Sequence, residues 1–416
     1  MSCSEWKEYR LEEACNISTG FAFKSKEYLD NGKYKVVRGD NVKTGFIYWE
    51  EKSRYWNDLT DRLSKYILQE KDIVIGMDGS RVGKNRAIIS KNDLPAILAQ
   101  RVACVRAKDD FSQDYIRYVI MSNAFEYYVD SIKTGTSIPH ISMKQIGEFK
   151  FKAPSLEIQE KIADVLSSLD DKIELNNEMN KTLEEMAQSI FKRWFVDFEF
   201  PNEDGQPYKS SGGEMVESEL GMIPKGWEVK TINEMVNITD YVANGSFASL
   251  KNNVKQGEDE DYAILIRLVD HNRGFKGPYM YVDENGYNFL SKSKLYGGEI
   301  IISNVGANAG TVFKAPYLEK PMTLGPNSIM ISKSILDNYL YYYLLSDIGQ
   351  NNLKGILGGS AQPKFNKTDF RNIQIVLPSD NIIGRFNLIA DKIVKKIDVI
   401  NSENSIVESV RDNLLP

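Results

Sequence analysis

Two long stretches of the chain carry apolar residues at alternating steps of three and four. Ile158, Ile162, Val165, Leu169, Ile173, Asn176, Asn180, Leu183, Ala187, Ile190 and Trp194 lie on one such seam, with a stutter at Leu169. Ile382, Phe386, Ile389, Ile393, Ile397, Ile400, Asn404, Val407, Arg411 and Leu414 lie on a second. These steps return to one face of a helix, so they predict long helices over 154–199 and 379–416. Asn180 and Asn404 hold matching places, and a polar residue inside a seam is a known way to fix register. Other stretches carry no such period. "DIVIGMDGSRVGKNRAII" (72–89) and "EIIISNVGANAGTVFKAP" (299–316) open on continuous apolar runs that enter a turn bearing glycines. Each reads as a buried strand followed by a tight turn.

These paired patterns belong to an internal repeat. "WKEYRLEEACNIS" (6–18) is answered by "WEVKTINEMVNIT" (227–239), a displacement of 221 positions. Gly79 and Gly83 match Gly306 and Gly310 at 227; Tyr115, Tyr118 and Ser122 match Tyr339, Tyr342 and Ser346 at 224. "GTSIPHIS" then answers "GSAQPKFN", and Pro154 answers Pro378. One ancestral unit is duplicated, with small insertions where loops tolerate them. The expected division is a first globular head over 1–153, a helix over 154–199, a linker over 200–226 rich in Gly, Pro, Ser and acids, a second head over 227–378 and a helix over 379–416. The fold class is α+β, with two homologous mixed α/β heads separated by two long helices. Because the order is head, helix, head, helix, the helices should form an antiparallel coiled coil about an approximate twofold axis. At 1.5 Å per residue a helix of about 38 residues would be roughly 57 Å long, giving a dumbbell with a spacer.

Composition narrows the chemistry. With 416 residues, 42% of them hydrophobic, the chain can build sizeable cores. Cys3, Cys15 and Cys104 form no CxxC pair and fit a reducing compartment. Neither a signal peptide nor a run of 18 apolar residues is present, so the cytoplasm is expected, with no membrane contact. Net charge is −6, the wrong sign for a nucleic-acid binder taken as a whole. Its distribution differs: residues 1–150 hold 24 Lys and Arg against 21 Asp and Glu, whereas 151–200 hold 6 against 11. The excess of acid over base is concentrated in the first predicted long helix.

Catalytic constellations are lacking. His140 and His271 are the only histidines, which disfavours a metal cluster or a histidine-based triad. "GSRVGK" (79–84) is one residue short of a phosphate-binding loop and is followed by Asn85. No GxGxxG occurs, and no Asp/Asn-Pro-Pro-aromatic run. The chain reads as a binder with two similar but nonidentical heads, a layout suited to a duplex carrying two short sites a fixed distance apart. Arg, Asn, Gln, Lys and Thr, which pair with base edges and phosphates, collect on the matching loops. In the first copy these are Arg38, Asn41, Lys43, Arg81, Lys84, Asn85, Arg86, Ser137 and His140; in the second, Arg267, His271, Asn272, Arg273, Asn304, Asn308, Gln362 and Lys364.

The chain resembles the specificity subunits of Type I restriction-modification systems. The resemblance spans essentially its whole length and rests on "LEEMAQSIFKRWFVDFEF" (183–200), "SELGMIPKGWEV" (218–229), "PSLEIQEKIADVLSSLDDKIELNNE" (154–178) and the closing "VRDNLLP". It implies two target recognition domains, each reading half of a split, asymmetric double-stranded DNA site, and a helical pair that docks DNA methyltransferase subunits and, through the complex, restriction subunits. It implies no catalytic residues, no metal and no cofactor in this chain; S-adenosylmethionine, ATP and Mg²⁺ would belong to the partners. Two other classes fit the residues alone: a scaffold whose heads grip proteins, and an enzyme with an unrecognised site.

Overall fold

Ile73–Gly76 and Ile300–Ser303 are buried at every position, and both the core and the topology of each head are built around these two strands. Alternate side chains of a strand point to opposite faces. Ile73 and Ile75 therefore join one core with Tyr115, Ile116 and Phe125, while Val74 joins another with Leu98, Val102 and Cys104. In the second copy Ile300 and Ile302 enter one core and Ile301 a separate one with Phe313 and Met330. A continuous apolar run is what a strand covered on both faces requires.

The computed structural model describes residues 6–49, 53–134, 139–359 and 362–415. Two compact units are present: residues 1–177 with 401–416, and residues 178–400. In the first, β1 (Cys15–Thr19), β2 (Tyr34–Val37), β3 (Ile73–Gly76), β4 (Arg86–Ile88), β5 (Ala96–Leu98) and β6 (Val102–Ala107) form two sheets. One has the antiparallel order β1-β6-β3-β4; in the other β2 pairs with β5 in parallel. In the second unit β7 (Ile238–Asp240), β8 (Ala263–Ile266), β9 (Ile300–Ser303), β10 (Val312–Lys314), β11 (Met322–Leu324) and β12 (Ser328–Ile331) repeat this plan. There the antiparallel order is β7-β12-β9-β10, and β8 pairs with β11 in parallel. The repeat in sequence is a repeat in topology.

Helices follow the sheets in each unit. α1 (Gln113–Met121) and α2 (Asn123–Ile132) share Ser122, whose hydroxyl caps α2 by accepting from the Phe125 amide. Further along the chain, α3 (Leu156–Phe191) is the first long helix, and it ends in a π-helical turn, Lys192–Val196. α4 (Asp337–Leu345) and α5 (Asp347–Gly355) share Ser346 in the way α1 and α2 share Ser122. Tyr115 donates its hydroxyl to the Lys152 carbonyl and Tyr339 to that of Val376, so even single hydrogen bonds recur at displacement 224. Cys15 and Cys104 are free and buried, and burial pushes both thiols up to about 12; they pack as small apolar side chains.

α6 (Asp380–Leu414) is the second long helix. In the first unit Asn176 meets Asn404 and Asp170 meets Arg411; in the second Phe191 meets Phe386. In the first unit rising numbers on one helix face falling numbers on the other, so the segments there run antiparallel. The seam departs from the sequence reading at its ends: Val165 and Leu414 are exposed, and Ala163 and Leu166 are buried instead. Near the head the helix packs against the head core as well as its partner helix, which turns the buried face.

Residues 200–226, expected as a linker, are folded against the second unit. Phe200 stacks between Tyr208 and Trp227 at 4.6 and 5.1 Å. Met215–Ser218 and Gly221–Pro224 form a hairpin that buries Ile223. Isolated aromatics without a period supply this packing, so a search for periodicity misses it. Trp227 is thus a core anchor; Trp6, its counterpart, is half-buried.

Candidate nucleic-acid interface

The β3–β4 connection of the first head turns on Gly79 and Gly83, both at positive φ (99° and 82°), a region that costs a side chain energy. Gly83 also lies against α2, where an added Cβ would come 2.4 Å from Val129 Cγ1. The Gly79 amide donates to the Pro139 carbonyl at 3.0 Å, and His140 bridges to both Asp78 and Thr134. From a third segment, Thr44 donates its hydroxyl to the Lys84 carbonyl at 3.0 Å and the Gly45 amide donates to the Arg86 carbonyl at 2.9 Å. Arg81 Nη2 reaches Thr44 Oγ1 at 3.3 Å. Loops singled out separately in sequence, around 38–45, 78–86 and 140, are therefore laced into one rim.

Their side chains have different fates. Arg81 and His140 are exposed, and Lys43 and Arg38 are half-buried, Arg38 over the Tyr28 ring at 5.6 Å. Lys84 is paired with Glu126 at 2.9 Å, and that hydrogen bond raises its pKa. Asn85 is half-buried and accepts from the Gly76 amide through its carbonyl. Two expected readers are interior. Arg86 is 4% exposed and donates to the carbonyls of Gly83, Met121 and Ser122, with Glu126 beside it. Burial lowers its pKa, opposed by Glu126. Asn41, also 4% exposed, accepts from the Arg38 amide and donates to the Tyr48 carbonyl. Both hold loops in shape by satisfying buried backbone groups. Ser137 lies outside the described residues.

The second head repeats the lacing with other side chains. Gly306 and Gly310 have φ of 95° and 97°. The Gly306 amide donates to the Pro363 carbonyl at 2.8 Å, and Lys364 bridges to Val305 and Gly358, the places of Asp78 and Thr134. Asn304 is tied inward, its amide nitrogen donating to the Phe365 carbonyl at 3.1 Å. Asn308, Gln362 and Lys364 are exposed on this rim. The 267–273 segment is held differently. Arg267 makes a two-point ion pair with fully buried Asp270, at 3.0 and 2.8 Å. His271 stacks on Phe313 at 4.5 Å with its pKa lowered by burial, and Arg273 donates to the Pro278 carbonyl at 3.4 Å. Asn272 is exposed.

Sequence reasoning missed one further segment in each head, the turn before β6 and β12. The Met77 amide donates to the Arg101 carbonyl and the Asn304 amide to the Asn327 carbonyl, each at 3.1 Å. Gln100–Arg101 and Pro326–Asn327 thus stand at equivalent points of the two rims. The available signal was a break between two apolar strands, Gln-Arg in "LAQRVAC" against Pro-Asn in "LGPNSIM", at matching places in the repeat.

Two copies of one scaffold, each presenting a laced rim with its own set of polar and basic side chains, define a duplicated recognition protein. Among the described residues no group of three or more His, Cys, Asp or Glu is gathered as metal ligands, and no helix is long and apolar enough to cross a membrane. Residues 3–185 and 224–413 match the Type I restriction modification DNA specificity domain, and the chain belongs to that family. It is similar to the HindI Type I restriction enzyme specificity subunit of Haemophilus influenzae, at 26% identity over 99% of this chain and 98% of the relative. Similarity to the MjaIX specificity subunit of Methanocaldococcus jannaschii is also 26%, over 99% and 92%. Its fold matches the crystal structure of a Type I restriction-modification S subunit from M. genitalium, with a TM-score of 0.54 at 15% identity, covering 100% and 96% of the two chains.

Proposed function

We propose that this chain is the DNA-reading component of a Type I restriction-modification complex. Each head reads one half of a split, asymmetric duplex target, and the long helices carry methyltransferase subunits, with restriction subunits joining the complex. The chain transfers no methyl group alone; S-adenosylmethionine, ATP and Mg²⁺ are supplied through the partners. The observation that carries this reading is the repeated rim, with equivalent backbone lacing around the paired glycine turns of both heads and different outward side chains. Such a pair recognises two different short sequences with one architecture, since base edges are told apart by donor and acceptor patterns. A protein-gripping scaffold would account for duplication, but the family is one of DNA specificity domains, so that alternative is not favoured.

The test is methylation-site mapping of the full chain with its modification subunits. Alanine at Arg81 and His140 is expected to relax or weaken one half of the mapped motif and leave the other intact. An unchanged motif and unchanged affinity would remove the first rim as a reader.

A further inference from the structure

Each head has a cleft at the same topological place. In the first it lies between the segment after β1, the loop at Asp78 and the Gln100–Arg101 turn, with a volume of about 270 Å³. In the second it lies between the segment after β7, Val305 and the Pro326–Asn327 turn, with a volume of about 520 Å³. Both adjoin the laced rims. Asp78 and Val305 are equivalent because they bridge to His140 and Lys364 respectively. The clefts share an aromatic wall, Phe21 and Phe23 in one and Tyr241 in the other. Their rims differ in chemistry.

The first rim is polar. Arg101 is 71% exposed and its Nη1 lies 3.0 Å from Asp78 Oδ2. The carboxylate tethers the guanidinium through this one contact and, being negative, disfavours a phosphate beside it. A tethered planar guanidinium offering its remaining N–H groups suits the O6 and N7 acceptors of guanine. The second rim is apolar along one side, with Asn327 in the place of Arg101 on the other. Phe247 is 83% exposed, Val242 is also exposed, and Val305 and Pro326 complete the wall. Lys251 stands one helical turn beyond Phe247, on the same side, where it can meet a phosphate. A single exposed phenylalanine is unremarkable on a protein surface, but this one rims a cleft continuous with the DNA-facing loops. The one apolar group in the major groove that distinguishes bases is the thymine 5-methyl.

We propose that these equivalent clefts are base-reading sites of different chemistry. The first takes a guanine through Arg101, positioned by Asp78; the second takes a thymine through contact of its 5-methyl with Phe247, Val242 and Val305. The proposal rests on the DNA-reading function above and assigns base classes within it.

Base analogues test it on the full chain with its modification subunits, using duplexes that carry the mapped motif. Replacing thymidine by deoxyuridine removes only the methyl group. At one position of the half-site read by the second head this lowers affinity about fourfold, the worth of one buried methyl. Phe247→Ala binds both duplexes alike, and Phe247→Leu keeps part of the preference. Replacing guanine by 7-deazaguanine removes one acceptor. At one position of the other half-site it lowers wild-type affinity roughly tenfold, and Arg101→Ala no longer distinguishes the two. Indifference of the wild type to both analogues overturns the proposal, as does an undiminished preference in Phe247→Ala or Arg101→Ala. A wild-type complex that binds a duplex lacking the motif as tightly as one carrying it overturns the DNA-reading function itself, a separate and recognisable failure.

Discussion

Asn176 donates from Nδ2 to Oδ1 of Asn404 at 2.8 Å, linking the two long helices through side chains that are both buried. Glu403 also accepts from Asn176 at 3.0 Å, Asn404 donates to Asn177 at 3.0 Å, and Lys172 pairs with Glu403 at 3.1 Å. Displacement by 224 carries Asn176 onto Ile400, a buried apolar residue. Asn180 remains the match of Asn404 in the repeat, while the residue that meets Asn404 across the helices is Asn176.

This layer predicts a split between stability and register. Asn404→Leu leaves Asn176 without its buried acceptor and should destabilise the first unit by about 1–3 kcal/mol. The double replacement of Asn176 and Asn404 by leucine should recover most of that loss while loosening helix register. Chemical denaturation measures the first effect. Cysteine crosslinking at paired helix positions measures the second, and a double variant as unstable as the single one would contradict the argument.

Arg86 should behave as a structural residue. Arg86→Ala strands the carbonyls of Gly83, Met121 and Ser122 and should cost roughly 2–3 kcal/mol. Assayed well below the variant's melting temperature, the methylated motif should be unchanged. A shifted motif would return Arg86 to the set of readers.

Exposed cations on the rims should report phosphate contacts. For Lys364→Ala, a lost phosphate contact reduces the slope of log affinity against log salt by about 0.9 and weakens all sequences alike. Binding isotherms across a salt series on specific and nonspecific duplexes give both quantities. Loss confined to the specific duplex would mark a base contact instead.

His271 should make the stability of the second unit fall in mild acid. Burial against Phe313 lowers its folded pKa below the ordinary 6.5. As pH falls through about 6.5 the unfolded chain takes up the proton first, so unfolding is favoured until the folded pKa is passed. His271→Phe preserves an aromatic stack and removes the titration. The difference in unfolding free energy between wild type and variant should therefore shift between neutral pH and mild acid; a constant difference refutes the assignment.

The features legible in sequence were those that displacement or period can reveal. The paired glycines proved to share positive φ, Tyr115 and Tyr339 to share equivalent carbonyl partners, and the apolar runs to be strands buried on two faces. Buried polar side chains were not legible. Arg86 and Asn41 look like neighbouring surface residues in one dimension, and only the fold shows that backbone groups from Gly83 to Ser122 surround one and that Tyr48 folds back on the other. Arg101 escaped for the opposite reason, since it stands alone between two strands and joins the rim through its Asp78 partner and a backbone bond from Met77, neither of which has a sequence signature. Residues 200–226 escaped because aromatic stacking has no sequence period.

Gly83 leaves no side chain between its loop and α2, α2 begins on the serine that ends α1, and α1 is tied by Arg117 and Tyr118 to Asp170 of α3, each at 2.7 Å. Loop, helix pair and the first-unit part of α3 are thus joined by successive contacts, so a substitution at Gly83 would be felt as far as Asp170.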